Sequence, residues 1–140
     1  DPDNPHHTYS TAHKAAKGRQ GNRVKEIDER TEDDRALICE CEEVSVGEAK
    51  YAIEELHVHD LLNLRRRTRV GMGTCQGELC ACRAAGVMCE NGVKVDKAMT
   101  DLTKFINERW KGMRPVAWGS TLDEAQLTTI IYQGLCGLGI

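Results

Sequence analysis

Cys75 stands among three glycines, Gly71, Gly73 and Gly77, in the stretch Thr68 to Cys82, which reads TRVGMGTCQGELCAC and ends on Cys80 and Cys82. Glycine permits backbone shapes that other residues resist, and it lets main chain come close to a ligand. Thiolates beside such a loop point to a metal, or to an iron–sulfur cluster whose sulfurs are met by backbone N–H groups. A second thiol pair, Cys39 and Cys41 in ICECEEV, lies upstream. Together the two pairs read as halves of one site: C-x-C, then C-x4-C after 33 intervening residues.

The rest of the cysteine usage supports this. The seven cysteines are odd in number and cluster at short spacings. A disulfide framework would spread them, and a C-x-C disulfide would be strained. Metal or cluster binding is the better reading. The chain's 140 residues suffice for one compact domain and little more. No apolar run approaches the roughly 20 residues that span a bilayer, and no secretory signal pattern is present. Neither direct membrane insertion nor secretion is expected. The polar start at Asp1 is what an excised piece of a longer chain would show. A net charge of −3 offers no general attraction to nucleic acid or to anionic membrane. Aromatic residues make up only 4% of the chain, so the core must be built from Leu, Ile, Val, Ala and Met.

Residues 1–35 hold few large apolar side chains (Tyr9, Val24 and Ile27), too few to fold alone. They read as a polar N-terminal arm or linker, with a short helix over 22–33. The spacing of His6, His7 and His13 matches no common metal site, so a solvated tail is the plainer reading. Ala36 to Ile38 is an apolar run into the first thiol pair. Residues two apart point the same way only in extended chain, so Cys39 and Cys41 can share a metal only if this segment is extended or looped. Ser45 to Glu48 reads as a capping box opening a helix to about His57, with Val46, Ala49, Ile53 and Leu56 on its apolar face. His57 and His59 have no ligand-like partner nearby and read as surface residues. Asp60 caps a second helix to about Arg67, with Leu61, Leu62 and Leu64 for the core. Its basic side carries Arg65, Arg66 and Arg67, followed by Arg69. Positive charge there would stabilise an anionic cluster and raise its potential.

Beyond the glycine loop a helix is expected from about Glu78. It puts Cys80 in the first turn, where free N–H groups and the helix dipole favour a thiolate. Ala81, Ala84, Ala85, Val87 and Met88 carry this helix inward, and Gly92 stops it. A longer helix capped by Asp96 runs to about Trp110, with Met99, Leu102, Phe105 and Ile106 inward. Lys111 to Gly119 is a connection, in which Trp118 either covers the core or docks on a partner. Thr121 to Glu124 reads as a second capping box, opening a last helix through Leu127, Ile130, Ile131 and Leu135.

Four sulfurs complete either a tetrahedral zinc site or a two-iron cluster. The assigned set is Cys39, Cys41, Cys75 and Cys80. Cys82, two residues past Cys80 on the helix, should point away from it. Cys82, Cys89 and Cys136 read as small buried apolar residues. Structural zinc sites favour C-x2-C knuckles, which neither pair has, and several glycines suit a cluster better.

The run C-x-C, then Thr68, Arg69, Gly71, Met72, Gly73, Cys75, Gln76, Gly77 and Cys80, resembles the bacterioferritin-associated ferredoxin-like [2Fe-2S] domain. LRRRTRVGMGTCQGELCACRAAG, NERWKGMRPVAWG and YQGLCGL further resemble the C-terminal part of the flavoprotein subunits of anaerobic glycerol-3-phosphate dehydrogenases. That likeness covers about Arg35 to Leu138. It implies a small all-α fold, here about five helices, with cysteine-bearing loops between helices and a mostly irregular N-terminal arm. Residues 36–92 would be the [2Fe-2S]-binding domain and 93–140 a helical extension packed on it. It also implies a parent that oxidises sn-glycerol 3-phosphate to dihydroxyacetone phosphate on FAD. Electrons would pass to quinone through partner subunits, including an iron–sulfur membrane-anchor subunit, at the inner, cytoplasmic face of the membrane. No G-x-G-x-x-G follows a strand here, and no acid–base pair is placed for hydride chemistry. The FAD of the parent would therefore lie outside this chain, and the chain alone is not expected to be catalytic. Its expected work is to relay single electrons from the flavin domain to the next subunit. The alternatives are a zinc-stabilised interaction module on the same four thiols, and nucleic-acid binding through Arg65 to Arg67. The net charge and the lack of interleaved aromatics argue against the latter.

Overall fold

The computed structural model describes residues 33–139. The expectations for residues 1–32, the three histidines and most of the first helix among them, lie outside the described residues. Asp33–Arg35 form a 3-10 turn. Asp34 is buried there and accepts a bond from Lys50 Nζ at 2.7 Å, so the end of the polar arm is docked on the domain.

Two short strands follow, β1 (Leu37–Cys39) and β2 (Val44–Ser45). They pair antiparallel, Leu37 opposite Ser45 and Cys39 opposite Val44, with an irregularity between the two pairs. The hairpin leaves Cys39 in extended chain and Cys41 in the turn between the strands. Five helices complete the described chain: α1 (Val46–Glu54), α2 (Leu61–Thr68), α3 (Cys80–Glu90), α4 (Val95–Met113) and α5 (Ser120–Gly134). The fold is all-α apart from the hairpin.

Local chemistry sets most helix starts. Ser45 Oγ accepts from Glu48 N at 3.2 Å while Glu48 Oε2 accepts from Ser45 N at 3.0 Å, a complete capping box. Asp60 Oδ1 accepts from Asn63 N at 2.8 Å and opens α2. At the far end of α2, Thr68 Oγ1 donates to Leu64 O at 2.7 Å, and Arg69 caps the helix in the left-handed region at φ 69°. Gly92, at φ 95°, turns the chain after α3.

Two helix starts differ from expectation. α4 begins at Val95 with Lys94 as its cap, so Asp96 sits inside the first turn, where its charge still suits the helix dipole. The helix also runs on through Gly112 to Met113. α5 begins at Ser120 behind Gly119, whose φ of 58° turns the chain. No side chain caps it, and Thr121 to Glu124 is not a capping box.

Ile38, Val44, Leu64, Met88, Leu102 and Ile106 are almost fully buried and form the centre of the core, where α3 and α4 pack together and α1 and α2 close the sides. Each such side chain contributes about 1.5–3 kcal/mol by leaving water. Several expected core residues stay outside. Leu56, Leu62 and Met99 are exposed, and so are Leu127, Ile130, Ile131 and Leu135. The buried face of α5 is Ala125, Thr128 and Tyr132 instead, and the helix packs on α4. Trp118 is 83% exposed and covers no part of this core.

Candidate metal centre

Three elements deliver the four assigned cysteines. Cys39 ends β1 and is buried, and Cys41 follows in the exposed turn to β2. Cys75 lies half-buried in the glycine loop, and Cys80 is the buried first residue of α3. The loop winds tightly: Met72 N donates to Arg69 O, Gln76 N to Gly73 O and Glu78 N to Cys75 O. The amide of Gln76 reaches back to Gly73 O at 2.8 Å and to Met72 O at 3.3 Å, holding the loop from within.

The sulfurs meet across the two segments, not within them. Cys41 Sγ lies 3.6 Å from Cys75 Sγ, and the Cys39 and Cys80 thiols touch in the interior. Two thiolates on one tetrahedral ion, each about 2.3 Å from it, stand about 3.8 Å apart. The outer pair already has that spacing. Among the described residues no three Cys, His, Asp or Glu side chains converge on a single ion position. The sulfurs neighbour one another as two pairs, each joining the two segments.

Backbone N–H groups point at the sulfurs. Gly71, Glu42 and Cys41 donate toward Cys39, and Gly71 also toward Cys80. The Cys75 N–H and the Thr74 hydroxyl serve Cys41, the hydroxyl at 3.7 Å. The Cys80 contact, helped by those N–H donors, pulls the Cys39 thiol down to about 6 against the opposing effect of burial. The Cys75 N–H, then Thr74 and the Cys75 thiol, lower Cys41. Cys80 moves the other way, pushed up first by its contact with Cys39 and then by burial. The two thiols of the inner pair compete for one proton, the contact that lowers Cys39 being the one that raises Cys80. Metal binding would release it.

Glycine is required at two points of this cradle. A Cβ on Gly73 would lie 2.2 Å from the Cβ of Cys41. Gly77, at φ 85°, would place one 2.4 Å from the Phe105 ring of α4. Phe105 lies across both Gly77 and Gly71 and covers the loop from behind.

Three arginines fasten the cysteine segments. Arg69 Nε lies 2.9 Å from Glu42 Oε2 and Nη2 3.4 Å from Glu42 Oε1, tying the α2 cap to the Cys41 turn. Arg83 Nη1 bonds Ile38 O at 3.2 Å and Glu40 at 2.5 Å. The Arg109 side chain, buried and 3.6 Å from Glu78, directs Nε and Nη2 to Cys75 O at 3.4 and 3.3 Å. Of the expected basic run only Arg69 makes such a contact: Arg66 and Arg67 are exposed, and Arg65 lines a cleft of about 610 Å³ between α2 and α4. Arg83 and Arg109 had no sequence signal beyond their charge, since what they touch is main chain brought in from distant segments.

Cys82 is exposed and is not the buried apolar residue expected. Cys89 and Cys136 are half-buried against the core.

In this all-α domain the two thiol pairs meet under a glycine loop, and residues 37–89 match the model of the BFD-like [2Fe-2S] binding domain. Over most of its length the chain is also similar to one of the subunits of anaerobic glycerol-3-phosphate dehydrogenase. It is 59% identical to that protein of Escherichia coli (strain K12) over 105 residues, 74% of this chain and 19% of the relative. Against the Haemophilus influenzae protein it is 48% identical over 130 residues, 92% of this chain and 23% of the relative. A shorter likeness, 48% over 44 residues, joins it to hydrogen cyanide synthase subunit HcnB of Pseudomonas aeruginosa, covering 31% of this chain and 9% of that one. The chain thus spans about a fifth of the length of the dehydrogenase subunits it matches. No solved structure matches it. No helix among the described residues is long and apolar enough to cross a membrane.

Proposed function

We propose that Cys39, Cys41, Cys75 and Cys80 hold a [2Fe-2S] cluster, with Cys41 and Cys75 on one iron and Cys39 and Cys80 on the other. The observation that carries this reading is the pairing of sulfurs across the two segments, with the Cys41–Cys75 separation of 3.6 Å. When bound, such a cluster supplies a one-electron carrier. The protein's part is to hold and tune it. Gly71, Glu42, Cys41 and Cys75 offer N–H groups to the sulfurs. Arg69, Arg83 and Arg109 lock the segments that carry the ligands. Phe105 keeps water from the inner side of the loop.

The domain works, on this reading, as the relay of a longer FAD-dependent enzyme that oxidises sn-glycerol 3-phosphate to dihydroxyacetone phosphate. It takes electrons from the flavin domain of the same chain and passes them to partner subunits, an iron–sulfur membrane anchor among them, and so to quinone. The complex would sit at the cytoplasmic face of the membrane, held there by those partners. The names of the relatives support this reading. The outer pair is the natural electron port, because Cys41 is exposed while Cys39 and Cys80 are buried. The exposed Trp118 suits docking on another part of the assembly.

Protein prepared without oxygen should be coloured, carry about two irons and two sulfides per chain, and give a paramagnetic signal on reduction. Colourless protein with one zinc per chain would overturn the proposal.

A further inference from the structure

Gln76 follows an assigned ligand, yet its side chain turns back onto the loop. Its φ of 50° is left-handed, a conformation that most residues other than glycine resist. From there it closes three bonds onto two neighbours. Gln76 N donates to Gly73 O at 3.0 Å, Nε2 donates to the same oxygen at 2.8 Å, and Nε2 reaches Met72 O at 3.3 Å. Gln76 is half-buried and lines the cleft between α2 and α4, beside Phe105 and Arg109. The carbonyls of Met72 and Gly73 are therefore drawn to the cleft side of the loop.

Peptide planarity fixes what lies opposite. In a trans peptide the C=O and the N–H of the next residue point in opposite directions. With the Met72 and Gly73 carbonyls bonded to Gln76, the N–H groups of Gly73 and Thr74 turn away from it. Neither meets a protein acceptor among the described residues. Cys41 packs on the same stretch and does not line the cleft. Gly73 has no room for a Cβ beside it, and Thr74 Oγ1 stands 3.7 Å from its Sγ.

We propose that Gln76 is a positioning residue of the metal centre: by gathering the carbonyls of Met72 and Gly73 on one side of the loop, it aims the N–H groups of Gly73 and Thr74 at the sulfurs around Cys41. This rests on the cluster reading above. N–H groups directed at thiolate and sulfide offset negative charge, and they offset more of it in the reduced state, so losing them lowers the potential. A carbonyl released by the amide is also free to turn its negative end toward the sulfurs, which adds to the fall. Gln76 carries no charge, so its effect is one of orientation, unlike that of an arginine.

The test compares the anaerobically prepared wild type with two variants. Gln76→Met keeps the length and the neutrality of the side chain and loses the donor. Gln76→Gly loses the side chain and suits the left-handed φ. Iron and sulfide are assayed, the potential is measured by spectroelectrochemical titration, and electron–nuclear double resonance in D2O reads the deuterons coupled to the reduced cluster. Each loaded variant should show a lower potential and fewer or weaker deuteron couplings than the wild type. Couplings equal to those of the wild type would overturn the proposal, whatever the potential does. Loss of the cluster from both variants would overturn it too, by making Gln76 a structural residue of the loop and nothing more. A wild type without iron and sulfide would instead overturn the cluster reading, and this inference with it, before any variant is compared.

Discussion

Gly73 and Cys41 stand so close that a Cβ on the glycine would lie 2.2 Å from the Cβ of the cysteine. The glycine loop can pass over the C-x-C turn only because nothing projects there. Gly73→Ala should therefore displace Cys41 and abolish most cluster loading while the helices persist. Gly86 on α3 is the control, because a Cβ there meets nothing within 4 Å. Gly86→Ala should keep full loading and gain about 0.5–1 kcal/mol. Iron and sulfide assays with circular dichroism and urea melts check both.

The sulfur pairing makes a ligand prediction. Cys39→Ser or Cys75→Ser should abolish loading, because each removes one member of a pair. Cys82→Ser should leave most of it, since that side chain faces solvent. Loss of the cluster in Cys82→Ser together with its retention in Cys80→Ser would reassign the inner ligand. Visible absorbance and iron content of anaerobic preparations decide the matter.

Phe105 and Gly77 should be coupled. Gly77→Ala faces a positive φ and a ring 2.4 Å away, and should cost about 2–4 kcal/mol. Trimming the ring in Gly77→Ala/Phe105→Leu should recover the steric share of that loss and leave the backbone share. A double-mutant cycle of urea denaturation separates the two.

Arg109 holds the Cys75 carbonyl from a buried position. Arg109→Met should cost about 1.5–3 kcal/mol, the range for a hydrogen bond from a charged group, and should lower the cluster potential by removing positive charge. Arg109→Lys should retain more of the potential than of the stability, because it keeps the charge and loses the planar fork. Neutralising the exposed Arg66 and Arg67 should move the potential less than Arg109→Met does. Spectroelectrochemical titration measures each shift.

Trp118→Ala should leave the stability of this chain within about 0.5 kcal/mol of the wild type, since the indole is 83% exposed. A thermal melt tests this directly.

Much of this molecule is readable from local sequence. Ser45 with Glu48, and Asp60 before its leucines, encode helix starts through bonds between near neighbours. The alanine face of α3 encodes its burial through a period of 3.6. The glycines around Cys75 announce a loop that must come close to something. These signals act over a few residues, so the chain carries them whatever the rest of the fold does. α5 shows where this ends: Leu127, Ile130 and Ile131 look like a core stripe, yet Ala125, Thr128 and Tyr132 face inward. Periodicity identifies an apolar face but not the surface available to cover it. The partnering of Cys41 with Cys75 and of Cys39 with Cys80, and the arginines that brace them, were decided by tertiary structure alone. Each joins residues that only the packing of the hairpin, the glycine loop and the helices around them brings together, and no short-range preference records such a meeting.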